Sequence, residues 1–278
     1  MIEKKCNSLA INKNTKFTII AGPCAIESEA ICFEVAEKCL QLCTKFDFQY
    51  VFKASYKKAN RTSGKSFRGV GIDAGLKILD KVKKNYNVPI LTDVHSVNEV
   101  KSVSQVVDIL QIPAFLSRQT ELIEVTAKTG KMINIKKGQF MSPNEIKLAV
   151  EKAYDIGNRN IIVTERGTFF GYNNLVVDFR NFQIIDGFGI PVIYDVTHSL
   201  QRPASSEISG GSPEFVLSMS KAAVATGHIS GLFVETHPNP KEAKSDALSM
   251  IPLSQMEELL GEIKKVLRVT SYELQFTS

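Results

Sequence analysis

The chain has 278 residues, 44% of them hydrophobic, and a net charge of +5 from 34 basic and 29 acidic side chains. This length accommodates one large domain or two small ones, and the composition is that of a soluble globular enzyme. The basic residues are scattered rather than gathered into a dense stripe, and no run of 18 apolar residues occurs, so we expect neither a nucleic acid nor a membrane as a partner.

Eight short runs rich in β-branched or aromatic residues recur along the chain and predict β-strands. They lie at residues 17–21, 50–54, 89–92, 108–112, 132–136, 160–164, 191–195 and 231–235. Segments with the apolar spacing of helices lie between and after these runs. They begin near Ser28, a good N-cap residue, and then cover residues 76–82, 144–153, 213–225 and 255–267.

This alternation predicts an α/β fold of parallel strands joined by helical crossovers. Eight such units close into a single (β/α)8 TIM barrel. A doubly wound open sheet is the alternative, but it usually has a Gly-rich first turn, and no G-x-G-x-x-G occurs. Since no linker divides the chain, we expect one domain over residues 1–278, with 1–14 as an N-terminal extension and the barrel from about residue 15 onward.

The five cysteines all lie within the first 43 residues. An odd number so placed is a poor disulfide framework and is typical of a reducing cytoplasm, and the N-terminus lacks the apolar core of a secretory signal. Cys32, Cys39 and Cys43 recur at helical spacing, which predicts the buried face of a helix. Cys24 differs, because it follows the first strand outside any periodic helix.

Polar residues follow every predicted strand, at the end where TIM barrels carry their active sites. In chain order they are Cys24, then Lys53, Ser55 and Lys58, then Asp93 and His95, then Gln111, then Lys136, Lys137 and Gln139, then Glu165 and Arg166, then Asp195 and His198, and finally Glu235, His237 and Asp246. A lone lysine after a strand is more often a solvated surface residue. Polar ends on all eight strands favour an enzyme over a binding or scaffold protein.

The chemistry of these residues divides into two sets. Basic residues that outnumber the acids near them suit phosphates and carboxylates, and they are Lys53, Lys58, Arg61, Lys137 and Arg166. A thiol, an imidazole and two carboxylates suit Fe²⁺, Zn²⁺, Mn²⁺ or Co²⁺ better than Mg²⁺. That second set is Cys24, His198, Glu235 and Asp246. Spacing alone indicates the metal only weakly, since each residue comes from a different element.

Seven long motifs between about residues 17 and 253 resemble the 3-deoxy-D-manno-octulosonate 8-phosphate (KDO-8-phosphate) synthase family. They are AGPCAIES, FKASYKKANRTS, QIPAFLSRQTEL, KKGQF, ERGTFFGYNNLVVD, YDVTHSLQ and ETHPNPKEAKSDA. The resemblance implies a (β/α)8 barrel and a homotetramer. It also implies a transferase that condenses phosphoenolpyruvate with D-arabinose 5-phosphate and water, releases phosphate, and supplies lipopolysaccharide synthesis. C3 of phosphoenolpyruvate would attack the aldehyde while water attacks C2.

The resemblance also implies roles for individual residues. The substrate-binding residues would be Lys53, Ser55, Lys58, Asn60, Arg61, Thr62, Asp93, His95, Gln111, Lys137, Gln139 and Arg166. The catalytic residues would be Lys58, Asp93, His198 and Asp246. The metal ligands of the metal-dependent branch match Cys24, His198, Glu235 and Asp246, and the metal-independent branch has Asn at the first of these positions. No organic cofactor is expected.

Several positions depart from the family pattern. Lys57 stands where Asp is usual, Ser96 where Glu is usual, and Gly64-Lys65 where Ile-His is usual. Other functions remain open. A metal-dependent aldolase of another kind would not explain the whole motif set. The related DAHP synthases use erythrose 4-phosphate, but they have Lys-Pro-Arg-Thr-Ser where this chain has Lys-Ala-Asn-Arg-Thr-Ser at residues 58–63, and Asn60 favours the five-carbon sugar. A non-catalytic barrel that senses sugar phosphates would be expected to lose some of the polar strand-end residues.

Overall fold

The structure, a computed structural model, describes residues 9–59, 67–171, 174–202 and 210–275. Eight parallel strands form its central sheet: β1 (Thr18–Gly22), β2 (Gln49–Lys53), β3 (Ile90–Asp93), β4 (Ile109–Ile112), β5 (Met132–Lys136), β6 (Ile161–Glu165), β9 (Val192–Asp195) and β12 (Gly231–His237). They pair in this order, and β1 also pairs with β12, from Thr18 opposite Gly231 to Gly22 opposite Glu235. The sheet is therefore a closed (β/α)8 TIM barrel, as the sequence predicts.

Helices follow the strands around the outside of the barrel. They are α1 (Glu29–Lys45), α2 (Ile72–Tyr86), α3 (Val97–Ser104), α4 (Thr120–Ala127), α5 (Pro143–Asp155), α6 (Arg180–Gly187), α7 (Val216–Ala225) and α8 (Met256–Gln275). The predicted N-cap Ser28 accepts a hydrogen bond from Ile31 N at 3.2 Å. A capping box joins Ser142 and Glu145 at the start of α5. None of the described helices is both long and apolar enough to span a membrane.

Short strands and 3₁₀ turns lie at the C-terminal end of the barrel. An antiparallel hairpin of β7 (Thr168–Gly171) and β8 (Asn174–Val176) follows β6, and a second short pair joins β10 (Gln201–Arg202) to β11 (Gly210–Gly211). Strand β13 (Ile251–Pro252) extends the sheet beside β12. The predicted strands agree with the observed ones to within one or two residues, whereas helices α3, α4 and α6 and these short strands were not predicted.

Two apolar clusters hold the fold together. The larger one lies between the barrel and its helices and includes the buried thiols of Cys32, Cys39 and Cys43, as predicted. The smaller one fills the barrel itself, and we call it the barrel floor. It takes one residue from each strand, namely Ile20, Val51, Leu91, Ile109, Met132, Ile162, Ile193 and Phe233, and it is joined by Ile11 from the segment ahead of β1.

Candidate active site

A polar layer lies directly above the barrel floor. Side chains alternate along a strand, so the residue two positions after each floor residue returns to the barrel interior. These residues are Gly22, Lys53, Asp93, Gln111, Asn134, Thr164, Asp195 and Glu235, and all are buried. Glycine is required in this layer at β1, because a Cβ on Gly22 would lie 1.9 Å from the carbonyl oxygen of Lys53. The interior thus changes from apolar to ionic within two residues.

Four side chains of this layer, together with Ser55 after β2, form one hydrogen-bonded belt that runs from the end of β2 to β6. Ser55 Oγ and Gln111 Nε2 donate to the two carboxylate oxygens of Asp93. Asn134 Nδ2 donates to Gln111 Oε1 at 2.8 Å, and Thr164 Oγ1 donates to Asn134 Oδ1 at 2.7 Å. The side-chain amides of Gln111 and Asn134 therefore each donate one hydrogen bond and accept another.

Asp93 ends that belt and is ionised. Burial alone would raise the pKa of its carboxyl, but the charges of Lys53 and Lys58 and the Ser55 hydrogen bond outweigh burial and hold the pKa below its ordinary value. A carboxylate in this state can only accept hydrogen bonds.

Four cations converge above the belt, on the side of β12. Lys53 Nζ lies 2.6 Å from Glu235 Oε1 and donates to the carbonyl oxygen of Cys24 at 3.1 Å. Lys58 Nζ lies 3.9 Å from the same Glu235 oxygen. Lys136 Nζ lies 2.5 Å from Asp195 Oδ2 and 4.0 Å from the centre of the Phe233 ring. Burial lowers the pKa of Lys136 even though Asp195 acts in the opposite direction.

Arg166, the fourth cation, keeps one donor unused. Its Nη2 donates to the carbonyl oxygen of His198 and to Gln201 Oε1, each at 2.8 Å. Its Nε is buried and has no hydrogen-bond partner among the residues that the structure describes, and the same is true of Gln139 Oε1. A buried donor on a guanidinium is normally paired, so this Nε favours an anionic ligand at the site.

Lys137 directly follows β5 and points away from the barrel interior. Asn134 and Lys136 point into the barrel, whereas Lys137 donates to the carbonyl oxygen of Met141 at 2.9 Å and to Thr168 Oγ1 at 3.2 Å, and lies 3.5 Å from Glu165 Oε1. The structure thus places Lys137, which the sequence predicts to bind substrate, in contact with residues outside the barrel interior. Lys136, for which the sequence predicts no role, points into the barrel.

The four predicted metal ligands lie near one another. Cys24, Glu235 and Asp246 each offer an atom within 4.8 Å of the others, and Cys24 Sγ lies 2.8 Å from Asp246 Oδ2. His198 falls outside that group, yet its Nε2 lies 3.4 Å from Glu235 Oε2. Its Nδ1 lies 2.8 Å from Asp195 Oδ2, the arrangement by which carboxylates orient metal-binding imidazoles.

The charges of this group fit a divalent cation. Burial, followed by the charges of Asp246 and Glu235, raises the pKa of the Cys24 thiol well above its ordinary value. A cation held between these donors would offset both effects, since it stabilises a thiolate and neutralises the carboxylates. Sulfur, imidazole and carboxylate together suit a borderline transition metal.

Residues after β2 and β3 border the site. His95 Nδ1 lies 3.3 Å from Glu99 Oε2, which also accepts a 2.7 Å hydrogen bond from Tyr56 OH. A cleft lined by Lys57, Lys58, Ala59 and Arg68 opens beside them. Three predicted sugar-phosphate residues, Asn60, Arg61 and Thr62, lie outside the described residues, as do Gly64 and Lys65.

Comparison with known proteins identifies the family. A model of the DAHP synthetase I family matches residues 2–270. The chain belongs to the DAHP synthetase I family. Curated relatives named 2-dehydro-3-deoxyphosphooctonate aldolase include one from Trichlorobacter lovleyi, 48% identical over 263 residues (94% of this chain, 96% of the relative). Others come from Dechloromonas aromatica, 50% identical over 250 residues (89% and 90%), and Acidithiobacillus ferrooxidans, 50% identical over 251 residues (90% and 89%).

In this DAHP synthetase I family member, the described residues that the sequence singled out lie mostly together at the C-terminal end of the barrel. The belt, the cations and the predicted metal ligands all come from the C-terminal halves of the strands or the loops after them. Sequence reasoning assigned no role to Lys136, Asn134, Asp195 or Glu99. Asn134 carried a readable signal, because a polar residue in the middle of an apolar strand marks the interior face of β5.

Proposed function

We propose that the chain is a transferase that condenses phosphoenolpyruvate with D-arabinose 5-phosphate and water to form KDO-8-phosphate and inorganic phosphate, a step that supplies lipopolysaccharide synthesis. The observation that carries the proposal is the group of relatives with the matching aldolase name, about half identical over almost the whole length of both chains. The cationic cavity supports it independently, because both substrates are anions.

The cations divide between the two substrates. Lys53, Lys136 and Arg166 are proposed to bind the phosphate and carboxylate of phosphoenolpyruvate, with the unpaired Nε of Arg166 as one donor. The cleft of Lys57, Lys58, Ala59 and Arg68 is proposed to hold the phosphate of the pentose. Backbone support comes from Lys58 N, which donates to the carbonyl oxygen of Arg68 at 2.8 Å and so joins the two ends of the segment that carries Asn60, Arg61 and Thr62.

A divalent metal is proposed at Cys24, His198, Glu235 and Asp246, with Fe, Zn, Mn or Co as candidates and no organic cofactor. The mutual distances and donor chemistry of these residues support the site. When bound, such a cation would act as a Lewis acid that polarises the aldehyde or positions the attacking water. Asp195 would hold His198 in place through Nδ1 and through the 2.9 Å hydrogen bond from His198 N.

The reaction requires a small number of bond changes. C3 of phosphoenolpyruvate bonds to the aldehyde carbon, and water adds at C2, where its oxygen becomes the new carbonyl oxygen. Phosphate leaves with the electron pair of its bond to C2. The two protons of the water end on the former aldehyde oxygen and on the phosphate. Positive charge develops at C2 and negative charge at the aldehyde oxygen. The protein's first contribution is to hold the two anions at bonding distance, which can supply a large part of the rate.

Lys58 and Asp93 have defined charges for this chemistry. Burial alone would lower the pKa of Lys58, but Cys24, Glu235, Asp93 and Asp246 outweigh it and raise the pKa, so Lys58 acts as a fixed cation. Asp93 stays ionised and accepts hydrogen bonds from a substrate hydroxyl or from water. Gln111 and Ser55 hold its carboxylate in a single orientation.

The homotetramer is proposed from the resemblance alone. A cytoplasmic location is proposed from the cysteine pattern, and one barrel domain over residues 1–278 from the absence of a dividing linker. Size-exclusion chromatography with light scattering tests the tetramer.

The deciding experiment measures phosphate release from phosphoenolpyruvate, with arabinose 5-phosphate and erythrose 4-phosphate supplied in parallel. Release with arabinose 5-phosphate alone is expected. Release with erythrose 4-phosphate alone would instead identify a DAHP synthase. No release with either, after incubation with each of Fe²⁺, Zn²⁺, Mn²⁺ and Co²⁺, would favour a non-catalytic sugar-phosphate-binding barrel.

A further inference from the structure

One carboxylate on α3 joins the segments that follow β2 and β3. Glu99 Oε2 accepts hydrogen bonds from Tyr56 OH at 2.7 Å and from His95 N at 2.9 Å, and lies 3.3 Å from His95 Nδ1. Its second oxygen, Oε1, lies 3.5 Å from Lys57 Nζ. Lys57, which replaces the usual Asp, therefore has an acid beside it.

These contacts fix the His95 ring. A carboxylate oxygen only accepts hydrogen bonds, so the ring nitrogen that faces it must carry the proton. The Tyr56 ring packs edge-on against the imidazole, with centroids 5.7 Å apart and planes at 87°, and limits rotation of the ring. In a neutral imidazole with Nδ1 protonated, Nε2 is a pure acceptor.

Glu99 remains ionised in this position. Burial alone would raise its pKa, but the hydrogen bonds from Tyr56 and His95 N outweigh burial and lower it.

We infer that Glu99 is a positioning residue that holds His95 in the tautomer with Nδ1 protonated, so that Nε2 accepts a hydrogen bond from a hydroxyl of the aldose phosphate. The sugar is the chemically suited ligand because it carries O–H donors. Phosphoenolpyruvate presents mainly anionic oxygens, which a bare nitrogen lone pair repels. His95 also follows Asp93 by two residues, and its partner Glu99 lies 3.5 Å from Lys57, which lines the cationic cleft. The identity of the sugar rests on the proposed function, whereas the tautomer does not.

The first test is spectroscopic and uses the full-length protein with ¹⁵N-labelled histidine. The chain has only four histidines, and a His95→Gln variant assigns the signals of His95 in a long-range ¹H–¹⁵N correlation spectrum. At neutral pH we expect Nδ1 of His95 protonated and Nε2 unprotonated. Glu99→Leu should shift the equilibrium toward the other tautomer, and Glu99→Gln, which keeps an acceptor oxygen, should restore the original one.

The second test is kinetic. Glu99→Leu should raise the KM for arabinose 5-phosphate by about two- to tenfold, the worth of one hydrogen bond, and leave the KM for phosphoenolpyruvate almost unchanged. The matched control is Glu29→Leu, which removes a first-turn glutamate from α1 whose partner is Lys81, at 2.6 Å. It should alter neither KM nor the His95 signals.

Three results would overturn the inference. They are a protonated Nε2 in the wild-type protein, both nitrogens protonated at neutral pH, and a Glu99→Leu variant whose His95 tautomer and pentose KM match the wild type. If Glu99→Leu fails to fold, Glu99→Gln and the wild-type spectrum still decide the tautomer. Absence of phosphate release with arabinose 5-phosphate would refute the proposed function, while the spectrum would still report on Glu99.

Discussion

Lys136 and Lys137 are consecutive, yet their side chains point to opposite sides of the barrel wall, so replacing each with methionine should lower kcat/KM to different extents. Lys136→Met removes an interior cation beside Arg166 and the proposed phosphoenolpyruvate site. The loss of one charge-assisted hydrogen bond is worth about 1.5–3 kcal/mol, which corresponds to a fall of about 10- to 150-fold in kcat/KM for phosphoenolpyruvate. His198 N still donates to Asp195 Oδ1, but the Asp195 carboxylate is left buried without its lysine, so Lys136→Met should also lower the free energy of unfolding.

Lys137→Met should act on stability. The ammonium is fully buried and contacts the Met141 carbonyl oxygen, Thr168 Oγ1 and Glu165. Removing it leaves the Glu165 carboxylate buried without its cation, and breaking a buried pair in this way costs about 3–5 kcal/mol. The folded fraction should keep more of its kcat/KM than Lys136→Met does.

Urea unfolding followed by circular dichroism and steady-state phosphate release would measure the two effects. Both variants are assayed with the same bound metal content, since Lys136 Nζ lies 3.5 Å from His198 Nδ1. A Lys137→Met protein with the wild-type urea midpoint and the larger loss of kcat/KM would refute the assignment of faces on β5.

Four further outcomes are expected. Cys24→Ala should lose bound divalent metal, measured by elemental analysis, and activity, measured by phosphate release. Cys32→Ala should keep both, and equal metal content in the two variants would contradict the site. Asp195→Asn should weaken metal binding by about 10- to 100-fold in competition with a chelator, since Asp195 orients His198. Burial raises the pKa of Cys32 to about 12, so it should react slowly with iodoacetamide at pH 8 until urea unfolds the protein; fast native alkylation would disprove its burial. Ile11→Ala should lower the free energy of unfolding by about 2–5 kcal/mol, and an unchanged urea midpoint would show that Ile11 does not stabilise the barrel floor.

The barrel could be predicted from sequence because strands buried on both faces are continuous apolar runs. The helices that escaped prediction, α3, α4 and α6, have eight residues each. Two helical turns give too few apolar positions to distinguish a period of 3.6 from chance. The hairpin of β7 and β8 escaped for a similar reason, since its strands have four and three residues.

The candidate site was likewise predictable from the sequence only in part. Polar residues at strand ends could be located from sequence because the closed barrel brings all those ends to one rim. Which of two adjacent lysines faces inward depends on the register of β5 and could not be read from the lysines themselves. The contact between Glu99 and Tyr56 joins residues 43 positions apart. It arises only when α3 packs beside the end of β2, so no local pattern predicts it.

The belt across strands β2 to β6 has a direction. From Thr164 through Asn134 and Gln111, each donor points toward Asp93, so the dipoles align and polarise one another toward one carboxylate. A substitution at Thr164 would therefore release the amide of Asn134 on the neighbouring strand and alter the electron density at Asp93, three strands away, without touching a substrate. Buried residues of the barrel wall therefore influence the Asp93 carboxylate without contacting a substrate. Replacing them is expected to change activity as well as stability.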